Sequence, residues 1–177
     1  MRSAIRQWCF GLLMLAALAA SGYAAGTGNV PASSEHGGFA PSFTVSGAVG
    51  KPSTFDLAAL QALPSLQQTT ASGVYTGVSL WTLLESAAGG IKPGSGRNPL
   101  IAMYAVATGS DGYRTVLSIA EIDPGLGGKT ALVAYGVDGK PLDRSGMARL
   151  IVPADAKAAR SVSNLTSIEV FALPPAR

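Results

Sequence analysis

The sequence predicts an α+β fold in which β-structure dominates. Three observations lead to this fold class: short runs of alternating apolar and polar residues, two short helical segments, and turn-forming residues between them. The chain has 177 residues, 47% of them hydrophobic, which is enough for one core of ordinary size and excludes an intrinsically disordered chain. Its single cysteine excludes a disulfide-rich scaffold.

The N-terminus has the layout of a secretory signal peptide. Arg2 and Arg6 precede an uncharged apolar run at residues 8–20, and small residues follow it. Residues 1–24 are therefore predicted to be removed, and Cys9 with them. Because the apolar run is too short to cross a bilayer comfortably, we expect no stable membrane anchor after cleavage.

The form of the signal peptide indicates where the protein is located, and the charge balance indicates which partners it can bind. The two arginines are not adjacent, so the signal lacks a twin-arginine pair and predicts the general secretory route to a periplasmic or secreted location. Removal of both leaves 11 basic residues (13 minus 2) against 10 acidic ones. This near-neutral chain has no basic cluster, so we expect no nucleic-acid partner.

Residues 25–42 are rich in glycine, serine, proline and alanine, and they predict a flexible leader before a single domain at residues 43–173. The leader holds His36, the sole histidine of the chain. A serine-histidine-aspartate triad within the domain is therefore excluded, because it needs a histidine to take the proton. Clustered histidine or cysteine ligands for zinc or iron are also missing.

Seven short runs within the domain are predicted strands, because apolar residues alternate with polar ones or form brief apolar stretches. Asp-Gly pairs at residues 111–112 and 138–139 predict tight turns between strands, since both residue types tolerate a positive φ. The predicted strands are residues 43–47, 66–71, 101–108, 113–118, 130–135, 149–152 and 165–171.

Two helices and one helical turn interrupt these strands. Asp56 is suited to cap a helix at residues 57–60, which a proline soon ends. Ser79 is suited to cap a second helix at residues 80–88, whose leucines share one face. Residues 119–122 predict a single helical turn.

Arginine is the residue type in the domain best suited to hold a ligand. Arg114, Arg149 and Arg160 lie near strand ends and turns, and the planar guanidinium matches phosphate and carboxylate groups. An anion pocket is one interpretation. The alternatives are that Arg149 is a paired, largely buried residue and that Arg160 is a surface cation.

Six segments in this order carry a resemblance to a known family. They are residues 43–64, Tyr75-Thr-Gly-Val-Ser-Leu-Trp-Thr-Leu-Leu84, residues 109–113, residues 132–142, Arg149-Leu-Ile-Val-Pro153 and residues 160–170. Together they resemble the molybdopterin-binding domain of the sulfite-oxidase-like oxidoreductases. The resemblance implies that family's fold, with mixed sheets, a partial barrel and short helices.

The resemblance also implies a molybdopterin site, and nothing else in the sequence points to this cofactor. The residues that it assigns to cofactor binding lie after the third strand run, in the 109–113 hairpin and in the closing loop. They are Thr70, Thr108, Ser110, Asp111, Arg114, Arg160, Ser161 and Ser163.

The sequence departs from the family where the metal would be held. The family's molybdenum-binding cysteine would fall between about residues 68 and 72, where this chain has Thr69-Thr70-Ala71-Ser72, and a neutral hydroxyl is a poor substitute for a soft thiolate. The second basic residue of the family's closing loop corresponds to Ser163. The missing twin-arginine signal agrees, because metal-loaded family members are usually folded before export.

We therefore expect no thiolate-ligated molybdenum, and the favoured hypothesis is an exported, non-catalytic module that binds a small anionic ligand or a periplasmic protein partner. The alternative is an active molybdopterin-dependent oxidoreductase of the sulfite-oxidase type. A structural domain with a vestigial pocket is a third interpretation.

Overall fold

The computed structural model describes residues 38–143 and 145–174. The predicted signal peptide and residues 25–37 of the predicted leader lie outside the described residues, as do Cys9 and His36. The strands within the described ranges are β1 (Ser42–Gly47), β2 (Ser53–Asp56), β3 (Leu66–Thr70), β4 (Gly73–Ser79), β5 (Met103–Gly109), β6 (Arg114–Ser118), β7 (Leu132–Val137), β8 (Lys140–Pro141), β9 (Arg149–Ile151) and β10 (Leu165–Ala172).

The first sheet joins the two ends of the domain. Its strand order is β2-β1-β10-β5-β6. β1 runs parallel to β10, with Thr44 opposite Ser167, whereas the other pairs are antiparallel. Because β1 and β10 are separated by almost the whole domain, this sheet depends on long-range pairing.

The second sheet is antiparallel and is built around β7. Its order is β3-β4-β7-β8, and β9 also pairs with β7. The β7–β8 turn has Asp138 at φ 50° and Gly139 at φ 74°. These two positive values are what a type I′ hairpin turn requires, so the predicted Asp-Gly turn is confirmed there.

The helices are short and begin at the predicted caps. In α1 (Leu57–Gln61) the Asp56 carboxylate accepts a hydrogen bond from the amide of Ala59 at 2.8 Å. In α2 (Leu80–Thr82) the Ser79 hydroxyl accepts one from the amide of Thr82, and a π-helical turn (Leu83–Ala87) follows. Further short elements are α3 (Ile119–Ile122) and two 3₁₀ turns, Pro99–Ala102 and Ala158–Arg160.

Both sheets contribute to one hydrophobic core, and the second sheet is also covered on its other face. Successive residues of a strand point to opposite faces. Val133 of β7 accordingly joins the main core with side chains from β1, β10 and α2, whereas Leu132 and Ala134 join a smaller cluster with Tyr75 and Ile151. This smaller cluster lies beside the candidate site.

Several predicted boundaries need correction. The segment at residues 53–56 is a strand, β2, because it pairs with β1 and places Phe55 against Phe43 with ring centroids 5.5 Å apart. The segment Gly73–Ser79, for which no strand is predicted, forms β4. The predicted strand at 101–108 begins only at Met103, because Pro99–Ala102 forms a 3₁₀ turn.

The β-rich α+β class with mixed sheets is confirmed, and the described strands form two open sheets rather than a closed barrel. In the described part of the chain, no helix has both the length and the apolar character to cross a membrane.

Candidate functional site

A cavity of about 180 Å³ lies between the second sheet and the loop that joins β9 to β10. We call it the Arg149 cavity, and we call residues 152–164 the β9–β10 loop. One side of the cavity consists of the β3–β4 turn, β4 and β9, and the opposite side consists of the loop. The lining residues are Thr70, Ala71, Ser72, Tyr75, Arg149, Ile151, Val152, Pro153, Asp155, Ala156, Lys157, Ala158 and Ser161.

Strand pairing places the two largest side chains of the inner side. Tyr75 of β4 lies opposite Val137 of β7, and Arg149 of β9 lies opposite Ala134 of the same strand. Tyr75 and Arg149 therefore come from strands on either side of β7, and the guanidinium of Arg149 lies 5.9 Å from the centre of the Tyr75 ring. This distance is within the range of a cation–π contact.

A chain of hydroxyl groups leads from the β3–β4 turn to this arginine. The Thr70 and Ser72 hydroxyls are 3.1 Å apart, and the Ser72 and Tyr75 hydroxyls are 3.3 Å apart. Arg149 donates from Nη1 to the Tyr75 hydroxyl at 3.4 Å. Each hydroxyl can donate or accept, so the chain can adjust to a ligand that offers acceptor atoms.

Arg149 has no acidic partner in the part of the chain that the structure describes. Its Nε is buried and has no hydrogen-bond partner, and none of the ion pairs among the described residues includes it. A buried N–H without an acceptor costs about 1–3 kcal/mol, and more when the group is charged. No described carboxylate pairs with Arg149, although the Tyr75 hydroxyl accepts from it, so both the anion-pocket and the paired-residue interpretations of Arg149 stay predictions.

Arg160 is bound to two carboxylates. It donates to Asp155 from Nε at 2.8 Å and from Nη2 at 2.6 Å, and it donates from Nη1 to Glu121 at 2.7 Å. These hydrogen bonds raise the pKa of Arg160 further above its ordinary value, and the Arg160 guanidinium holds the pKa of Asp155 below its own. Three of the five guanidinium N–H groups are thus used within the protein, and the anion-binding role of Arg160 stays a prediction.

The predicted residues of the β5–β6 hairpin lie away from the Arg149 cavity. The Ser110 hydroxyl accepts from the side-chain amide of Asn164, and the Asp111 carboxylate accepts from the amide of Tyr113 at 2.9 Å. The backbone carbonyl of Thr108 accepts from the Thr166 hydroxyl, and Arg114 is exposed on the edge strand β6. These contacts are internal to the fold.

The structure thus brings two of the predicted site residues together and separates the rest. Thr70 and Ser161 line the Arg149 cavity. Ser163 is exposed and does not line it, and the hairpin residues and Arg160 do not line it either.

Two residues at and beside the site were missed in the sequence, Tyr75 and Asn164. Tyr75 stands at the start of a quoted segment, but nothing in the segment marks its hydroxyl as a neighbour of Arg149. Asn164 is buried at φ 50° and accepts from the amide of Ala40 while it donates to the carbonyl of Gly38 and to Ser110. The tolerance of asparagine for positive φ was the one available signal.

The donor groups of the cavity do not fit a thiolate-ligated molybdenum. The position that the family resemblance assigns to the metal ligand is occupied by hydroxyl-bearing residues around Thr70 and Ser72, which are hard and neutral donors. Among the described residues, no group of three or more histidine, cysteine, aspartate or glutamate side chains could hold a metal ion. The cavity volume also lies below the 300–1,000 Å³ that is typical of sites for larger organic ligands.

The comparison with known proteins shows a similarity of fold. No protein-family model matches the sequence, and no curated protein matches it. Among solved structures, the chain is similar to the sulfane dehydrogenase SoxCD from Paracoccus pantotrophus, with 18% identity and a TM-score of 0.58. The match covers 73% of this chain but spans only 38% of that one. It supports the sulfite-oxidase-like fold as a distant likeness and carries no statement about activity.

Proposed function

We propose that this domain is an exported, non-catalytic module that binds a small oxyanion in the Arg149 cavity. The observation that carries the proposal is the state of Arg149. Its buried Nε has no hydrogen-bond partner, and its guanidinium forms no ion pair with a carboxylate among the described residues. Arginine donates in a planar fork that matches two oxygens of a phosphate, sulfate or carboxylate group. An oxyanion in the cavity would neutralise the guanidinium charge, and it would reach Nε, which surrounding atoms cover, after a shift of the Arg149 side chain.

The other lining groups support an anion and offer little for catalysis. Lys157 adds a second positive charge to the outer side, and Ser72, Tyr75 and Ser161 add hydroxyl donors. Asp155, the carboxylate among the lining residues, already accepts two hydrogen bonds from Arg160. Its pKa is lowered by that arginine, so it is a weaker base than an ordinary aspartate and is poorly suited to general base catalysis.

The size of the cavity limits the class of ligand. About 180 Å³ accommodates phosphate, sulfate or a short carboxylic acid, whereas larger organic ligands occupy more space. The exported location rests on the sequence of residues 1–24 and is part of the proposal. A periplasmic protein partner is compatible with it, since an oxyanion on such a partner offers the same chemistry.

The competing function is an active molybdopterin-dependent oxidoreductase of the sulfite-oxidase type. It is favoured by the likeness of fold to a protein named as a dehydrogenase. Metal analysis and pterin fluorescence of natively purified protein distinguish the two functions. Molybdenum at about one atom per chain would overturn the non-catalytic proposal.

The direct test is isothermal titration of the full-length protein with inorganic phosphate, sulfate and acetate at constant ionic strength. We expect at least one of these anions to bind, and Arg149→Ala to weaken it about 10- to 100-fold, because hydrogen bonds to charged groups contribute roughly 1.5–3 kcal/mol. The matched control is Arg114→Ala, which removes an exposed arginine outside the cavity and should change affinity less than about twofold. Equal effects of the two variants would contradict the proposal.

A further inference from the structure

We propose that Arg160, Asp155 and Glu121 form a clasp that holds the outer side of the Arg149 cavity closed, so that Arg160 is a positioning residue rather than a ligand. The inference rests on the proposed anion site for its consequence, and on the contacts of the β9–β10 loop for its geometry. These three residues form the ion pairs found among the described residues.

The β9–β10 loop is fixed at its base and projects from it. Leu150 and Val162 exchange two backbone hydrogen bonds of 2.9 and 3.0 Å, which bring the ends of the intervening segment together. A surface loop whose ends are close in this way is a compact unit packed by its own side chains, and we infer that it opens about its base while the strands stay paired. The part beyond the base includes Pro153, Asp155 and Lys157, which line the cavity.

The tip of the loop is held by side chains and not by a strand ladder. Asp155 and Arg160 join the two halves of the loop to each other through two hydrogen bonds. Outside the loop, Arg160 bonds to Glu121 of α3, and the Tyr113 hydroxyl donates to the carbonyl of Ala159. Glu121 and Tyr113 flank β6, a strand of the first sheet.

This arrangement attaches the two sides of the cavity to different sheets. The inner side belongs to β4 and β9 of the second sheet, whereas the clasp ties the outer side to elements next to β6 of the first. Release of the clasp would separate the outer side from the inner side while Arg149 and Tyr75 keep their places. We therefore expect the clasp to control how fast an anion enters and leaves.

Limited proteolysis with trypsin tests the clasp in the full-length protein without any ligand. Lys157 is exposed near the tip of the loop, and cleavage after it reports the open population of the loop. We expect Glu121→Gln to accelerate this cleavage at least fivefold, as identified by mass spectrometry, with no change in overall melting temperature. The control is Glu169→Gln, which changes a half-buried glutamate of β10 that forms no ion pair with a described residue.

Two further variants keep the test decisive. Tyr113→Phe removes one hydroxyl and no charge, so it reports on loop release even if Glu121→Gln is unstable. Arg160→Lys keeps the charge but cannot make the two-pronged contact with Asp155, and we expect cleavage between the wild-type and Glu121→Gln rates. Wild-type cleavage rates in Glu121→Gln and Tyr113→Phe, with melting temperatures unchanged, would overturn the clasp.

The outcomes separate this inference from the proposed function. If the wild-type protein binds no phosphate, sulfate or acetate but cleavage still accelerates in Glu121→Gln, the anion site is wrong and the clasp stands. If an anion binds and Arg149→Ala lowers its affinity, while Glu121→Gln does not change the rate of cleavage after Lys157, the anion site stands and the clasp is wrong. Where both hold, phosphate or sulfate should dissociate several-fold faster from Glu121→Gln.

Discussion

The two sides of the Arg149 cavity are built by different means. The inner side belongs to β4 and β9, which are fixed by backbone hydrogen bonds to β7, and its cation, Arg149, meets no carboxylate among the described residues. The outer side is a loop that side chains hold in place; of its two cations, Lys157 lines the cavity, whereas Arg160 does not line it and meets two carboxylates. The arginine of the inner side therefore offers its charge on a rigid support, whereas the arginine of the outer side uses its charge to keep the loop in shape.

This contrast shows why the presence of an arginine near a cavity does not by itself indicate a ligand. An arginine that makes three charge-assisted hydrogen bonds has already lost most of its attraction for an added anion. An arginine with a buried N–H that lacks an acceptor keeps that attraction, because the free-energy cost of the missing hydrogen bond is recovered when a ligand supplies the acceptor. The partners of each guanidinium decide its role.

The largest effect that we expect is on the free energy of unfolding, and it concerns Asn164, the last residue of the β9–β10 loop. Asn164 ties the β9–β10 loop to Gly38, Ala40 and Ser110 through its amide. We expect Asn164→Ala to lower the free energy of unfolding by ~2–4 kcal/mol, because one buried and two partly buried hydrogen bonds are lost and alanine tolerates the left-handed conformation poorly. Urea denaturation measures the change.

A matched control for this variant is available at Asn98. Asn98 also has a left-handed backbone, at φ 54°, but it is exposed and its side chain makes no capping hydrogen bond. We expect Asn98→Ala to cost about 1 kcal/mol, the strain of the backbone alone. Equal losses at the two positions would show that the side-chain bonds of Asn164 do not hold the loop.

A substitution on the inner side should weaken anion binding and leave the β9–β10 loop in place. Tyr75→Phe removes the hydroxyl that accepts from Arg149 and neighbours Ser72, but it leaves the strand ladder intact. We expect phosphate or sulfate affinity to fall roughly 2- to 10-fold, in line with one hydrogen bond of 0.5–1.5 kcal/mol, as measured by calorimetry. Trypsin cleavage after Lys157 should not change, and an acceleration equal to that of Glu121→Gln would erase the distinction between the two sides.

The same contrast explains how far the sequence could predict the structure. Local signals sufficed where the determining contacts are local. Asp56 and Ser79 cap their helices within three residues, and Asp138-Gly139 forms its turn by conformational preference. The fold class followed because alternation along each strand reports its buried face.

Contacts between distant residues could not be deduced in this way. β2 was missed because four residues carry too little periodicity, and its strand character depends on pairing with β1. The role of Arg160 depends on Glu121, 39 positions away in the chain, and the position of Tyr75 beside Arg149 spans 74. The resemblance predicted the fold class, but the partners of each side chain come from tertiary packing.

The smallest effect that we expect is the acid sensitivity of the outer side. The Arg160 guanidinium lowers the pKa of Asp155 below its ordinary value of 3.8, so the folded protein binds that proton less readily than the unfolded chain does. The stabilisation is therefore complete at pH values well above 3.8 and is lost as the pH falls below 3.8 and through the lowered pKa. The side chains of Arg160 and Asp155 are 30% and 20% exposed, so solvent screening keeps the contribution small, within about 1 kcal/mol.

Melting temperatures between pH 3 and pH 7 test this loss of stabilisation when the wild-type protein is compared with Asp155→Asn, whose side chain cannot titrate. The gap between the wild-type protein and Asp155→Asn should be constant from pH 7 to about pH 5 and should shrink toward pH 3. Trypsin cleavage after Lys157 does not report the acid state, because the clasp re-forms when the protein is returned to neutral pH for the assay. Hydrogen exchange of the β9–β10 loop at low pH measures the opening of the loop directly. Faster exchange in the loop, with β4 and β9 unchanged, is expected because neither of these two strands contains an acidic residue. Loosening of both sides together would mean that the ion pairs stabilise the whole domain and do not close the cavity.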